Sequence, residues 1–379
     1  MKKLRMVSGQ PSWRIATREV EAFVTRRGGH LGPVTFDRAG RRVQPYAVAP
    51  WCREPGAKRL IPLLHALRGD FFCLPFGGNG TPFRSEGHPP HGETANADWQ
   101  FESCTGGELH LSMCTKVRAG RVDKRIRLCE GHQAVYLQHV ISGMRGPMSL
   151  GHHAMLKFPD ELGSGVISTS PFVHGQVCPG GFEKPEQRGY CALQAGAVFD
   201  SLARVPLGSG GVADVSRYPA RRGFEDMLML VGAPDAALGW TAVTFPRERY
   251  VWFALKDPRV LRQTILWISN GGRHYAPWNG RHVNVMGLEE VTAYFADGLA
   301  PSARPNALTR RGYATSLMLN PRRPTVVNYI MAVAAIPAGF ARVADITAAA
   351  DAQSVVLHGA GGRSVRVPLD AGFLQRGAG

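Results

Sequence analysis

Three stretches of the chain set titratable residues among glycines and aromatics, in contexts that read as turns rather than core. The first is Arg68-Gly69-Asp70-Phe71-Phe72-Cys73-Leu74-Pro75-Phe76-Gly77, followed after a glycine- and proline-rich loop by His91-Gly92-Glu93-Thr94-Ala95-Asn96-Ala97-Asp98-Trp99. The second runs from Gly146 to Phe158 around His152-His153. The third is Leu266-Trp267-Ile268-Ser269-Asn270-Gly271-Gly272-Arg273-His274-Tyr275-Ala276-Pro277-Trp278-Asn279-Gly280, leading into Gly287-Leu288-Glu289-Glu290. Tryptophan and tyrosine offer flat apolar faces to the C–H side of a sugar ring, while Asn, Arg and His supply donors and acceptors for its hydroxyls. A histidine paired with a glutamate can exchange protons near neutral pH when burial and neighbours tune both groups. Each signal alone is weak, because with 13 histidines in the chain any one of them is more often structural. Together they form a carbohydrate-binding inventory.

Context separates the candidates. His91, between Pro90 and Gly92, sits in a loop rather than an apolar run, which favours ligand contact. His152 and His153 are neighbours on a strand-like run, so their side chains point to opposite faces and one of them enters a site. Trp278, in a loop between Pro277 and Asn279, is a stacking candidate, whereas Trp267 lies inside an apolar strand and reads as core. Gly77-Gly78-Asn79-Gly80 lacks the Lys-Ser/Thr ending and following helix of a phosphate loop. The seven cysteines are odd in number and show no CxxC spacing. They read as mainly buried thiols of a reducing compartment, with neither a disulfide framework nor a structural metal site.

The elements that must position these residues are short strands. Glycine (45) and proline (27) punctuate the sequence every few residues, the rhythm of strands and turns. Strands are expected in Trp13 to Val24, Leu31 to Phe36, Arg125 to Leu128, Ala134 to Ile141, Tyr250 to Leu255 and Thr264 to Ile268. A closing hairpin is expected from Ser354 to Pro368. Lys58 to Leu67 carries apolar residues at Leu60, Ile61, Leu64 and Leu67, a helical spacing; Glu289 to Phe295 reads as a turn or short helix. Dense antiparallel strands imply two packed sheets, in one domain spanning 1–379 with its core in 13–370.

Composition narrows the function classes. A 44% hydrophobic content with 20% charged residues is that of a chain that buries a core. No apolar run approaches the roughly 18 residues of a membrane span, and no signal-peptide core follows the basic start, so the cytoplasm is expected. The net charge of +16 is carried by doublets such as Arg26-Arg27, Arg221-Arg222 and Arg322-Arg323, spread along the chain. Nucleic-acid binders concentrate charge in a stripe or tail; this pattern reads as a solvated basic surface, compatible with a small sugar or sugar phosphate as partner.

Arg68-Gly69 through Phe76-Gly77, then Pro90-His91-Gly92 and Trp99, resemble a segment of the glucose-6-phosphate 1-epimerase-like branch of the aldose 1-epimerase (galactose mutarotase-like) superfamily. Gly151-His152-His153-Ala154-Met155 resembles the segment holding the family's second histidine, which places His153 on it. Gly287-Leu288-Glu289 resembles the late segment holding the catalytic glutamate. The resemblance implies an all-β fold, a large antiparallel β-sandwich of the galactose mutarotase-like kind, and sugar-anomer interconversion without metal or cofactor. It further implies Glu289 as base, His153 as acid and His91 as a donor to the ring oxygen. Arg68, Asn96, Arg273, Trp278, His152 and Asp226 are candidate sugar-binding residues. The sequence departs from the pattern at Ala95, which stands where the family has arginine, and at Glu290, which stands where it has proline. A non-catalytic sugar-binding protein on the same fold is the alternative these departures motivate; a lyase or hydrolase would require a helical domain that the sequence does not show.

Overall fold

The computed structural model describes residues 3–377, and strands dominate it. Two large antiparallel sheets face each other. The first has eight strands. Seven follow the order Val198–Phe199, Phe172–Val177, Phe224–Gly232, Gln263–Asn270, Val285–Thr292, Leu150–His152 and Phe72–Cys73, and Ala154–Lys157 also pairs with Val285–Thr292. The second has nine, centred on Gly239–Phe245, Tyr250–Lys256, Thr325–Ala335 and Ala134–Ser142. A four-stranded sheet covers residues 5–35. The expected C-terminal hairpin is present as Ser354–Gly359 and Ser364–Pro368, extended to three strands by Val343–Ala348. Its Val355 and Leu357 pack with Phe253 and Ile330 on the outer face of the nine-stranded sheet.

The eight-stranded sheet is buried on both faces, and the period of two along each strand sorts its residues. In Val285–Thr292, Met286 and Leu288 join the core between the sheets, while Val285 and Val291 join a second cluster on the other side. Gln263–Asn270 divides likewise, Leu266 and Ile268 inward, Ile265 and Trp267 outward. Leu228 and Leu230 oppose Met227, Met229 and Val231 in Phe224–Gly232. A strand buried twice shows no polar alternation in its sequence. That is why residues 289–292, expected as a turn or short helix, instead end a buried strand.

The same alternation separates two adjacent carboxylates. Glu290 turns between the sheets, where it forms an ion pair with Lys256 of the opposite sheet and accepts a hydrogen bond from Thr264 Oγ1 at 2.7 Å. Glu289 turns outward. The helix expected over Lys58 to Leu67 is split into a 3-10 turn, Pro55–Arg59, and a short α-helix, Pro62–Ala66. Pro62 forces its predecessor out of the helical region, and Ile61 is extended at φ −55°, ψ 148°. The cysteines are less buried than the sequence suggested: Cys52, Cys73 and Cys178 are buried, Cys104, Cys129 and Cys191 half-buried, and Cys114 exposed. Among the described residues, no helix is long and apolar enough to cross a membrane.

Removing one partner of a buried ion pair strands the other charge. Lys256→Met is therefore expected to destabilise the protein by about 3–5 kcal/mol in urea unfolding. Lys256→Met combined with Glu290→Leu should recover most of that loss; a double variant no more stable than the single one would contradict this.

Candidate functional site

The outward face of the eight-stranded sheet forms the floor of a cavity of about 410 Å³. His91, His153 and Glu289 all line it, together with Arg273 and Trp278. Each arrives by a different route. The His91 backbone is in the left-handed region at φ +57° and is held there by its N–H donating to Gly77 O at 2.7 Å. Gly92 follows at φ +76°, and a Cβ on it would lie 1.9 Å from Leu74 O, so this corner requires glycine. The His153 backbone donates to Phe71 O at 3.0 Å, and its ring stacks on Phe71 at 4.5 Å. His30 stacks on Phe71 in turn, at 4.3 Å. Glu289 projects from its strand beside Gly287, where a Cβ would come within 2.6 Å of Glu289 Oε1.

His153 Nε2 lies 3.2 Å from Glu289 Oε1. The angle is not that of a hydrogen bond, and both carboxylate oxygens are buried without a hydrogen-bond partner among the described residues. Burial pushes the Glu289 carboxyl well above its usual range, opposed by the charge of Arg273. Burial, reinforced by His91, drives the His153 imidazole well below its usual value. Burial and then Arg273 bring His91 down to about 4. The shifts favour a neutral pair, a protonated Glu289 beside an uncharged His153.

Cys73 Sγ approaches His91 Nδ1 at 3.2 Å. Burial pushes the Cys73 thiol well above its ordinary value, so it stays S–H and can donate to Nδ1. His91 then offers its Nε2 hydrogen as a donor. Arg273 is the cation of the cavity. Its Nε donates to Glu183 Oε1 at 2.6 Å, Glu225 Oε1 lies 3.8 Å away, and the guanidinium sits 4.5 Å from the Trp278 ring centre and 5.3 Å from that of Trp267. Burial opposes its charge, but Glu225 and Glu183 outweigh it and hold Arg273 above its usual value.

Four sequence-derived candidates lie elsewhere. Arg68 is buried with its guanidinium turned to the N-terminal strands, donating to Val7 O and Ser8 O at 2.8 Å each and to Ala66 O at 3.0 Å. Asn96 holds the His91 loop to the short helix, donating to Pro90 O at 2.7 Å and Gly92 O at 2.8 Å and accepting from Leu63 N at 3.1 Å. His152 points between the sheets, its Nδ1 2.9 Å from Asp70 Oδ2 and its ring 4.4 Å from that of Tyr329. Asp226 accepts from the backbone of Ala192 and Leu193 at 3.1 and 3.0 Å. Its neighbour Glu225 shares a strand face with the cavity-lining Met227 and meets Arg273 instead. Sequence reasoning missed Glu225, Glu183, Tyr275 and Cys73; the alternation through Met227 was the one available signal for Glu225. Trp267, read as core, is buried and also lines the cavity. No group of three or more His, Cys, Asp or Glu among the described residues is arranged to hold a metal ion.

These buried histidines couple stability to pH. His30 and His282 are held at about 3 and His91 at about 4, chiefly by burial. The unfolded chain takes up their protons near 6.5 and the folded chain does not, so their contribution is complete above 6.5. It is lost as pH falls toward 3, at about 1.4 kcal/mol per group and pH unit. Glu225, raised by burial to about 7, acts oppositely: its contribution is present below its ordinary 4.5 and is lost as pH rises through 7. Thermal unfolding should therefore show its highest midpoint between about pH 6 and 7. A steep acid limb is expected, and Glu225→Gln, by removing the opposing titration, should steepen it between about pH 4.5 and 7; a midpoint that stays constant from pH 7 down to 4 would refute this coupling.

No protein-family model matches the chain, and no curated protein matches it by sequence. Solved structures do match. A candidate aldose 1-epimerase from Escherichia coli K12 superposes with a TM-score of 0.58 at 14% identity, over 86% of this chain and 100% of its own. A galactose mutarotase related enzyme from Lactobacillus acidophilus gives 0.56 at 11% identity, over 86% and 97%. A galactose mutarotase-like protein from Lactobacillus casei ATCC 334 gives 0.55 at 10%, over 85% and 100%. At such identities the likeness is one of architecture, and that architecture is definite: the chain has the galactose mutarotase-like β-sandwich fold.

Proposed function

We propose that the protein is an aldose 1-epimerase-type enzyme that interconverts sugar anomers by opening and reclosing the ring. The observation that carries this reading is the meeting of His91, His153 and Glu289, from three distant segments, in one cavity. Ring opening needs one group to take the anomeric hydroxyl proton while another gives a proton to the ring oxygen. A protonated glutamate and an uncharged histidine 3.2 Å apart can do both, once the proton passes from one to the other, without net charge change.

Glu289 is assigned as the base, His153 as the acid and His91 as a donor to the ring oxygen. Before a sugar binds, burial keeps that proton on Glu289. Sugar hydroxyls that hydrogen-bond the carboxylate move it to His153, which creates the base and the acid together. The C1–C2 bond of the open chain then rotates, and reclosure returns both protons to their starting sides. The alternative is a sugar-binding protein without turnover, favoured by the same burial because a permanently protonated Glu289 is no base. Calorimetric binding without anomer exchange would mark that alternative.

Polarimetry or NMR exchange on freshly dissolved α-glucose, α-galactose and their 6-deoxy counterparts tests the activity. Acceleration over buffer is expected with at least one of them. Glu289→Gln and His153→Gln should each lower the rate by about 100-fold or more. An undiminished rate in Glu289→Gln sinks the assignment. Because burial raises Glu289 and lowers His153, the pH–rate profile should show no inflection from His153 near the ordinary histidine value of about 6.5.

A further inference from the structure

We infer that the sugar this cavity takes is apolar at the end remote from its anomeric carbon: a 6-deoxy aldose or a 6-O-alkylated one, rather than a fully hydroxylated hexose or its phosphate. The inference rests on the epimerase reading and adds the substrate class.

The cavity's polar side chains are few, and two of them are committed to one carboxylate. Tyr275 donates to Glu183 Oε2 at 3.1 Å, and Arg273 is fixed on the same carboxylate. His91, His153 and Glu289 are occupied by the anomeric hydroxyl and ring oxygen. That leaves the outer N–H groups of Arg273 as the remaining charged donors for the hydroxyls on C2, C3, C4 and C6.

Apart from the indoles of Trp267 and Trp278 and the backbone at Gly78, the rest of the lining is largely hydrocarbon, and much of it comes from one segment: Ile61, Leu63, Leu64 and Leu67, around the short Pro62–Ala66 helix, all line the cavity. Ile61 is 47% exposed, an apolar side chain held at a solvent-facing position of the wall. A sugar hydroxyl pressed against such a wall loses water and gains no partner, whereas a methyl or alkyl group in its place gains burial.

Charge points the same way against a phosphate. Glu183 at 2.6 Å and Glu225 at 3.8 Å already oppose Arg273, and Arg68, the other buried guanidinium considered, is bound to backbone away from the cavity. A phosphate here would meet no uncompensated cation.

Binding separates this inference from the activity. Trp267 and Trp278 line the cavity, so tryptophan fluorescence can be titrated with D-glucose, 6-deoxy-D-glucose, 6-O-methyl-D-glucose and D-glucose 6-phosphate, and checked by calorimetry. The 6-deoxy and 6-O-methyl sugars should bind at least about fivefold tighter than glucose, with the phosphate weakest. Ile61→Asn and Leu64→Asn, at half-exposed positions that folding tolerates, should each reduce that preference toward unity. Equal or tighter binding of glucose or its phosphate overturns the inference, as does a preference that survives both substitutions; anomer exchange would then still stand. If none of the four binds and no exchange is seen, the inference and the epimerase reading fall together.

Discussion

A carboxyl group with no hydrogen-bond partner among the described residues, buried within 3.2 Å of an equally buried imidazole, is the constraint around which the rest of this protein is arranged. In water the pair would ionise separately. Out of water neither charge is tolerated alone, so burial favours a protonated carboxyl beside an uncharged imidazole. Keeping them there requires a rigid floor. The sheet supplies it: Val285–Thr292 is paired on both sides, and core on its inner face and the second cluster on its outer face prevent any slip in register. A shift by one residue would exchange Glu289 for Glu290 and send an ion-paired carboxylate into the cavity. Lys256 guards against that, because it gives Glu290 a partner only on the inner side.

The fold was legible in the sequence where strands were bounded by turns, as at Tyr250–Lys256, Gln263–Asn270 and the hairpin of Ser354–Gly359 with Ser364–Pro368. It was less legible where both faces of a strand are buried. Residues 289–292 carry two glutamates and a threonine, and nothing local shows that one glutamate faces a lysine across the core. The helix reading of Lys58 to Leu67 weighed apolar spacing above Pro62, whose effect on Ile61 broke the helix. The site divides in the same way. His91, His153 and Glu289 stood in segments with a distinctive arrangement of glycine and histidine. Arg68 and Asn96 stood there too, but their side chains bind backbone, Arg68 that of Val7, Ser8 and Ala66 and Asn96 that of the His91 loop. Sequence motifs mark a loop as a unit and do not say which of its polar residues hold it in shape.

The buried histidines also show how the cavity is kept neutral. His30, Phe71 and His153 form a continuous stack, and His91 meets His153 edge-on at 5.1 Å. Charging any one of these rings would bring a cation against its neighbours without water to screen it. His91 is further tied through Nδ1 to a thiol that burial keeps protonated. A cluster of imidazoles that would titrate near neutrality on a surface is thus converted into fixed donors and acceptors.

Arg273 is the exception, a permanent charge within this neutral set, and its placement decides what the Glu289–His153 pair can do. Its field favours the ionised form of Glu289 and disfavours the ionised form of His153. Moving the shared proton from glutamate to histidine creates both charges at once, so Arg273 helps one end of the transfer and resists the other. The two effects oppose each other, so Arg273 leaves the proton where burial puts it, on Glu289. What tips the balance is then whatever hydrogen-bonds the orphaned carboxylate oxygens. Glu183 and the rings of Trp278 and Trp267 hold the guanidinium in place, which keeps this opposition fixed rather than fluctuating. In the proposed mechanism a ligand hydroxyl offered to Glu289 is therefore the element that converts a resting neutral pair into an acid and a base.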